Sequence, residues 1–338
     1  MKRIVIFSAF IALLSLAGCA GKGQQTICFS YAGSFSCLAG ACPDTCCRDW
    51  EIDLDEAAKA RYAAIPGDLG AELRRAMAEG GDCFRLAGGL CPFLDANGLC
   101  RIQRAYGPEA LTVNCDSFPR FIEVYGGTEE LSLSPACPEA ARLLLTAPNL
   151  LLQRATDDRP PEPNDLDPLR YLGLRTLRTK MLSLLEQDAP LPDQLGQLLT
   201  LGQHAQEALD AGEDEVLRLL EAASAEPLRS VYDNPIFCNY GKLEILRPDW
   251  PALLSRPRIG DGDAHCAARY AAYHLFRWLL KATVDGQVLP RVRSAIWGAL
   301  CLEHLTAAGV PADTALYRYC REIEHNEYNL RAVQSWPL

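Results

Sequence analysis

The sequence carries no cluster of Lys and Arg, no internal repeat and no low-complexity tract. Each absence removes a class of protein. With a net charge of −10 and a pI near 5.1, the chain has no basic patch to neutralise phosphates, which excludes nucleic acid as a partner. It has no GxGxxG loop: Gly88-Gly89 precedes a cysteine loop instead, so the phosphate cradle of doubly wound folds is not expected. Beyond residue 17 no apolar run is long enough to cross a membrane. What is present is an ordinary globular composition of 338 residues, 49% hydrophobic and 22% charged, enough for a real core and about two domains.

Cysteine is the residue in excess. There are 15, and 11 of them lie between Cys19 and Cys137. Exported chains use such density for disulfides and intracellular chains use it for metal. The N-terminus bears on the compartment: Lys2 and Arg3 precede an apolar run over 4–17 with the shape of a signal-peptide core, and Leu16-Ala17-Gly18-Cys19 has the form of a bacterial lipobox. That reading predicts removal of residues 1–18 and a lipid anchor on Cys19; a buried N-terminal helix is the alternative.

Pattern along the chain predicts a mainly α protein in three parts: a signal-like segment and tether over 1–27, a cysteine-rich metal or iron-sulfur domain over 28–156 built of loops and short helices, and an all-α domain over 169–338. Helices are expected at 54–65, 71–78 and 140–152, then at 169–185, 193–211, 214–223, 266–283, 289–308 and 313–333. Asp193, Asp214 and Asp313 are placed to cap, and Gly309 to stop a helix. Between the halves, 157–168 holds four prolines and four aspartates and reads as a linker.

Cys37, Cys42, Cys46 and Cys47 fall within eleven residues, in CLAGACPDTCC. Little chain entropy is lost in bringing these thiols together. Adjacent Cys46 and Cys47 cannot easily face one ion, so one ligates while the other bridges, packs or serves a second metal. Cys91, Cys100, Cys115 and Cys137 follow, the first two enclosing a turn shaped by Asp95 and Asn97. Thiolates suit zinc or iron-sulfur clusters rather than magnesium or calcium. A disulfide network competes, favoured by the signal-like segment, but near-neighbour and adjacent cysteines are poor disulfide geometry and weigh against it. Cys238, Cys266, Cys301 and Cys320 read as buried small hydrophobes.

These residues carry a resemblance. The run Tyr31, Phe35, Cys37, Cys42, Thr45-Cys46-Cys47, Trp50, Ile52 and Asp55 resembles the opening of the bacterial flagellin lysine-N-methylase family. The likeness continues at Cys91-Pro92-Phe93-Leu94, Leu99-Cys100, Cys115, Phe118-Pro119-Arg120, Leu131-Ser132-Leu133 and Cys137-Pro138-Glu139-Ala140-Ala141, then at Phe276-Arg277, Asp285-Gly286, Arg291-Val292-Arg293, Glu324-His325-Asn326 and Asn329-Leu330. The cysteine pattern is shared with a broader group of zinc- or iron-chelating proteins. The resemblance implies methyl transfer from S-adenosylmethionine to lysines of flagellin, with a four-iron four-sulfur cluster on the first domain's cysteines.

Against a standard radical use of that cofactor, Cys42 and Cys46 supply only the first interval of the usual three-cysteine spacing, and position 49 is Asp. A cluster with one open iron could still hold the methionine end of the cofactor. Arg120 reads equally as a partner for a cofactor carboxylate or for a local acid. His325, in Glu322-Ile323-Glu324-His325-Asn326-Glu327, is a substrate or cofactor contact or, in the favoured reading, part of a solvated acidic helix face. His204, His265, His274 and His304 read as structural, and no general base is named. Two other readings compete with the methylase: a zinc- or iron-binding module without catalysis, and an exported, disulfide-stabilised lipoprotein. Methyl transfer would place the chain in the cytoplasm, where S-adenosylmethionine is made; the lipobox would place it on a membrane.

Overall fold

The computed structural model describes residues 23–162, 165–221, 225–228 and 237–338. The lipobox and Cys19 lie outside them. Strand β1 (Gln25–Phe29) is followed by irregular chain with two single turns of 3-10 helix, the expected loop character of the cysteine-rich region. A small unit then forms from β2 (Ile52–Asp53), α1 (Glu56–Ala64), α2 (Gly67–Gly80) and β3 (Cys83–Phe84), with β2 and β3 antiparallel. Asp55 starts α1 by accepting the amide of Ala58 at 2.8 Å. Leu54, Tyr62, Leu73, Phe84, Phe93 and Ile102 fill a separate small core there.

Strands β4 (Arg120–Tyr125) and β5 (Thr128–Leu133) form a hairpin, and α3 (Pro138–Thr146) leads to β6 (Leu152–Thr156). The sheet order is β4-β5-β1-β6, with β1 and β5 parallel and the other pairs antiparallel. The helix expected over 140–152 thus ends early. Pro148 disfavours helical backbone at Ala147, and 152–156 pairs with β1 instead. Every residue of β5 is buried, including two glutamates. Arg159 takes Glu129 at 2.7 and 2.8 Å, and Arg178 takes Glu130 at 2.6 Å while packing on the Phe276 ring. Arg159 belongs to the proline-rich stretch, whose first part, over 157–162, is irregular and stitched along the sheet through Gln24.

The rest of the described chain is mainly helical: α4 (Pro168–Leu185), α5 (Leu191–Asp210), α6 (Ala264–Trp278), α7 (Leu289–Ala307), α8 (Ala312–Tyr319) and α9 (Glu327–Ser335), with shorter helical turns and irregular segments between them. The main core unites Ile27 and Phe29 of β1 and Leu144 of α3 with Leu177, Phe276 and Leu302. Helices α6 and α7 approach closely because Gly298 has no Cβ: one there would fall 2.1 Å from the Tyr270 ring. Gly309 stops α7 as expected, at φ +81°. Asp193 and Asp313 lie inside first turns rather than at caps, while Asp167 and Asp263 cap. Asp214 opens only a 3-10 turn and binds Arg170; the end of that expected helix falls partly outside the described residues.

The helix expected over 313–333 is broken. Cys320–Glu324 forms a π turn, closed by the His325 amide on the Cys320 carbonyl at 3.1 Å. Asn326 then caps α9 through the amide of Asn329 at 3.0 Å. Among the described residues no helix is long and apolar enough to cross a membrane. Truncating Arg178 to Ala would strand the Glu130 carboxylate in the core, so denaturant unfolding is expected to show a loss of about 3–5 kcal/mol.

Candidate functional site

The thirteen cysteines of the described residues are all free thiols. Local hydrogen bonds set the placement of several of them. The Cys91 amide donates to the Cys47 carbonyl at 2.8 Å and Asp49 to Gly89 at 3.1 Å, tying the Cys91 turn to the Cys46-Cys47 step. Asp95 Oδ1 accepts the amides of Asn97 and Leu99 at 2.8 and 3.0 Å, shaping the expected turn that returns the chain to Cys100. Thr112 caps the short helix Val113–Ser117 through the Cys115 amide at 3.2 Å. The charge of Cys47 is felt at Cys91, Cys100 and Cys115.

A hydrogen bond from Cys46 and one from Thr45 outweigh burial and lower Cys47 to about 6, while the same bond and burial push Cys46 well up. Burial raises Cys91 to about 12 and Cys115 to about 11. Cys37, Cys42 and Cys137 make a second electrostatic neighbourhood, in which Cys42 donates to the Asp44 carbonyl at 3.2 Å. Cys37 joins this neighbourhood to the first, since its charge is also felt at Cys46. Among the described residues, no three His, Cys, Asp or Glu side chains meet in a metal-holding arrangement. The donor chemistry, soft sulfur without a carboxylate cluster, nonetheless suits zinc or iron-sulfur. Cys266, Cys301 and Cys320 are buried in the helical core, and the Cys238 side chain lies outside the described set.

A charge clamp that sequence reasoning missed holds the loop in place. Asp44, only 5% exposed, faces Arg247 at 2.7 Å and Arg321 at 3.0 Å, and Arg247 also takes Asp49 at 2.5 Å. Arg321 further donates to the carbonyls of Asp44 at 2.8 Å and Ala136 at 2.9 Å. The π turn carrying Arg321 thus grips the chain immediately before Cys46.

Beside the clamp, rings converge on His325. Trp50 stacks on it at 5.2 Å, and Phe118 and Phe121 meet it edge-on, each at 5.8 Å. Its Nε2 lies 2.9 Å from Ser134 Oγ, whereas its Nδ1 makes no hydrogen bond among the described residues. Burial, then the charges of Arg277 and Arg321, lower His325 to about 4. Arg277 lies 3.7 Å over the Phe121 ring.

The solvated acidic face expected here is not found. Glu322 and Glu324 are 1% and 6% exposed. Burial raises Glu322 to about 7, although it accepts the amides of Leu246 and Arg247. Glu324 accepts from Tyr270 at 3.2 Å and Tyr273 at 3.1 Å and meets His274 Nδ1 at 2.7 Å, with His274 Nε2 at 2.8 Å from Ser294. Burial opposes ionisation of Glu324, but the bond and charge of His274 prevail and lower it. The His274 network is sealed inside the protein, consistent with a structural role. His304 bonds the Leu254 carbonyl, and His204 and His265 are exposed. Arg120 packs 4.9 Å from the Phe35 ring, with no ion pair to a local acid among the described residues.

Fold and site together define a mainly α protein whose thiol-rich loop is clamped onto its C-terminal helices. No family model and no solved structure matches it. The flagellar biosynthetic protein FliU of Salmonella muenchen is 35% identical over 131 residues, 36% of this chain and 78% of that protein. The lysine-N-methylases of Salmonella typhimurium and Salmonella choleraesuis are each 35% identical over 131 residues, 36% of this chain but 33% of their own length. The chain belongs to the flagellin lysine-N-methylase family, and it spans about a third of the length of the two lysine-N-methylases.

The imidazole gives a pH prediction. A histidine lowered on folding from its ordinary 6.5 to about 4 contributes stability above pH 6.5 that is lost as pH falls through 4. NMR of the His325 ring should show a midpoint near 4, and His325→Gln should remove that component of acid destabilisation.

Proposed function

We propose that this chain N-methylates lysine side chains of flagellin, with S-adenosylmethionine as methyl donor and a cysteine-bound four-iron four-sulfur cluster. The identity to lysine-N-methylases supports the reaction. The observation in the structure that carries the reading is a seam in which a basic group, His325, is held neutral beside the thiol-rich loop.

A lysine arrives as an ammonium and needs a free lone pair before it can attack. Rings of Trp50, Phe118 and Phe121 would strip water from it, and Arg277 and Arg321, whose charges already depress His325, would depress the lysine in the same sense. Neutral His325 adds no repulsion, and its Nδ1 is available to hydrogen-bond the amine. S-adenosylmethionine, when bound, supplies an electrophilic methyl group. The cluster would draw its thiolate ligands, four at most, from Cys46, Cys47, Cys91, Cys100 and Cys115, with Cys37, Cys42 and Cys137 as the neighbouring set. Arg120, free of a local carboxylate partner among the described residues, is available for a cofactor carboxylate. This chemistry belongs to the cytoplasm, and a lipidated Cys19 would contradict it.

Anaerobic purification followed by iron, sulfide and zinc determination, with flagellin and labelled S-adenosylmethionine added, tests the proposal. Iron with sulfide and label on lysine are expected. Cys47→Ser and Cys115→Ser should lose the iron, while Cys301→Ser, in the helical core, should keep it. Zinc without label would favour a metal-binding module, and oxidised, metal-free cysteines an exported lipoprotein.

A further inference from the structure

The four-stranded sheet has two edges, and they are built differently. On β6 the exposed side chains are Gln153, Arg154 and Thr156, polar groups of the kind that keep an edge from pairing with another chain. On β4 they are Ile122 and Val124, 49% and 42% exposed. The ladder between β4 and β5 also fixes which backbone groups point outward. Ser134 donates its amide to the Pro119 carbonyl at 2.8 Å, and bonded pairs alternate along an antiparallel ladder, so Phe121, Glu123 and Tyr125 turn their amides and carbonyls to β5. Those of Arg120, Ile122 and Val124 face away from the sheet, and none of them is hydrogen-bonded among the described residues.

The chemistry that satisfies such a row is another extended backbone. Side chains of an added strand would alternate between two faces in step with β4. One face holds Ile122 and Val124. The other holds Phe121, whose ring lies 5.8 Å from that of His325, and Glu123, which pairs with Lys281 at 2.6 Å. A residue opposite Phe121 would have its Cβ about 5 Å from that of Phe121, beside the His325 seam, while its neighbour along the strand would lie against Ile122.

We propose that the outer edge of β4 docks an extended, lysine-bearing segment of the protein substrate, which adds to the sheet as a further strand with its lysine opposite Phe121 and a β-branched neighbour against Ile122. The inference rests on the lysine-methylation reading for the identity of the segment; the open edge and its apolar face stand apart from that reading. Pairing with a second copy of this chain would use the same backbone groups but leave the alignment of Phe121 with His325 without a role.

The test uses the full chain and the synthetic peptide Gly-Ser-Thr-Val-Lys-Val-Thr-Ser-Gly, reading both calorimetric binding and transfer of label from S-adenosylmethionine to the lysine. Backbone N-methylation of the two valines is compared with that of the lysine and the threonine after it, because only one alternate set of amides can face β4. One set is expected to weaken binding at least about tenfold and the other to leave it within about twofold. Val124→Pro removes an outward amide at a position where an edge strand tolerates proline, and should weaken peptide binding by the same factor. The peptide comparison is made on the unaltered chain and decides the matter even if that variant unfolds. Equal effects of the two methylated sets, no peptide binding at millimolar concentration, or full binding by a folded Val124→Pro would each overturn the proposal. So would a dimer that Val124→Pro dissociates, which would assign the edge to a second copy. Set-dependent binding without label on lysine would sink the methylation reading and leave the docking edge standing; label on lysine with indifference to the methylated set would do the reverse.

Discussion

The arrangement depends on one buried carboxylate. Asp44 sits in the middle of the cysteine loop, and the guanidinium groups of Arg247 and Arg321 reach it from positions about two hundred residues or more away. Removing three charges from water is costly, and their attraction compensates only when geometry is good and remaining donors are satisfied. Arg321 meets part of that condition by also bonding the carbonyls of Asp44 and Ala136. A loop with little apolar surface of its own thereby acquires a defined position on a helical body.

The π turn is the companion of this clamp. By adding an extra residue to the helical turn, it lets Arg321 face the cysteine loop, Glu322 the amides of Leu246 and Arg247, Glu324 the tyrosine-histidine network and His325 the rings. Contacts in four different directions from within five successive residues are hard to obtain from a regular helix, which presents one stripe to each neighbour. π turns recur at functional sites for this kind of reason. Here the turn joins the buried Glu324 network to the half-buried His325 among its rings.

Much was legible from local pattern. The stripes of α4, α5 and α7 marked helices because apolar residues recur at helical spacing, and Gly309 marked an end because it adopts positive φ at little cost. The early end of α3 was also encoded, in Pro148, but apolar residues continuing past it masked the stop. The break at Asn326 carried a weaker sign, a side chain able to cap. At the site, the thiols drew attention by their number, whereas Asp44 and Arg247 look like ordinary surface residues in sequence. Glu322 and Glu324 look more solvent-facing still, because nothing near them in sequence announces the partners that justify their burial.

The sequence by itself determined the helical body, the looped cysteine region and the family to which the chain belongs, since periodicity, turn residues and cysteine spacing are local and survive without coordinates. Only the tertiary structure decided which thiols neighbour one another, that Asp44 joins the two parts, and that His325 sits neutral among rings instead of facing water. The reason is physical: desolvation and charge pairing are set by groups distant along the chain, and their strength depends on the surroundings that folding alone creates.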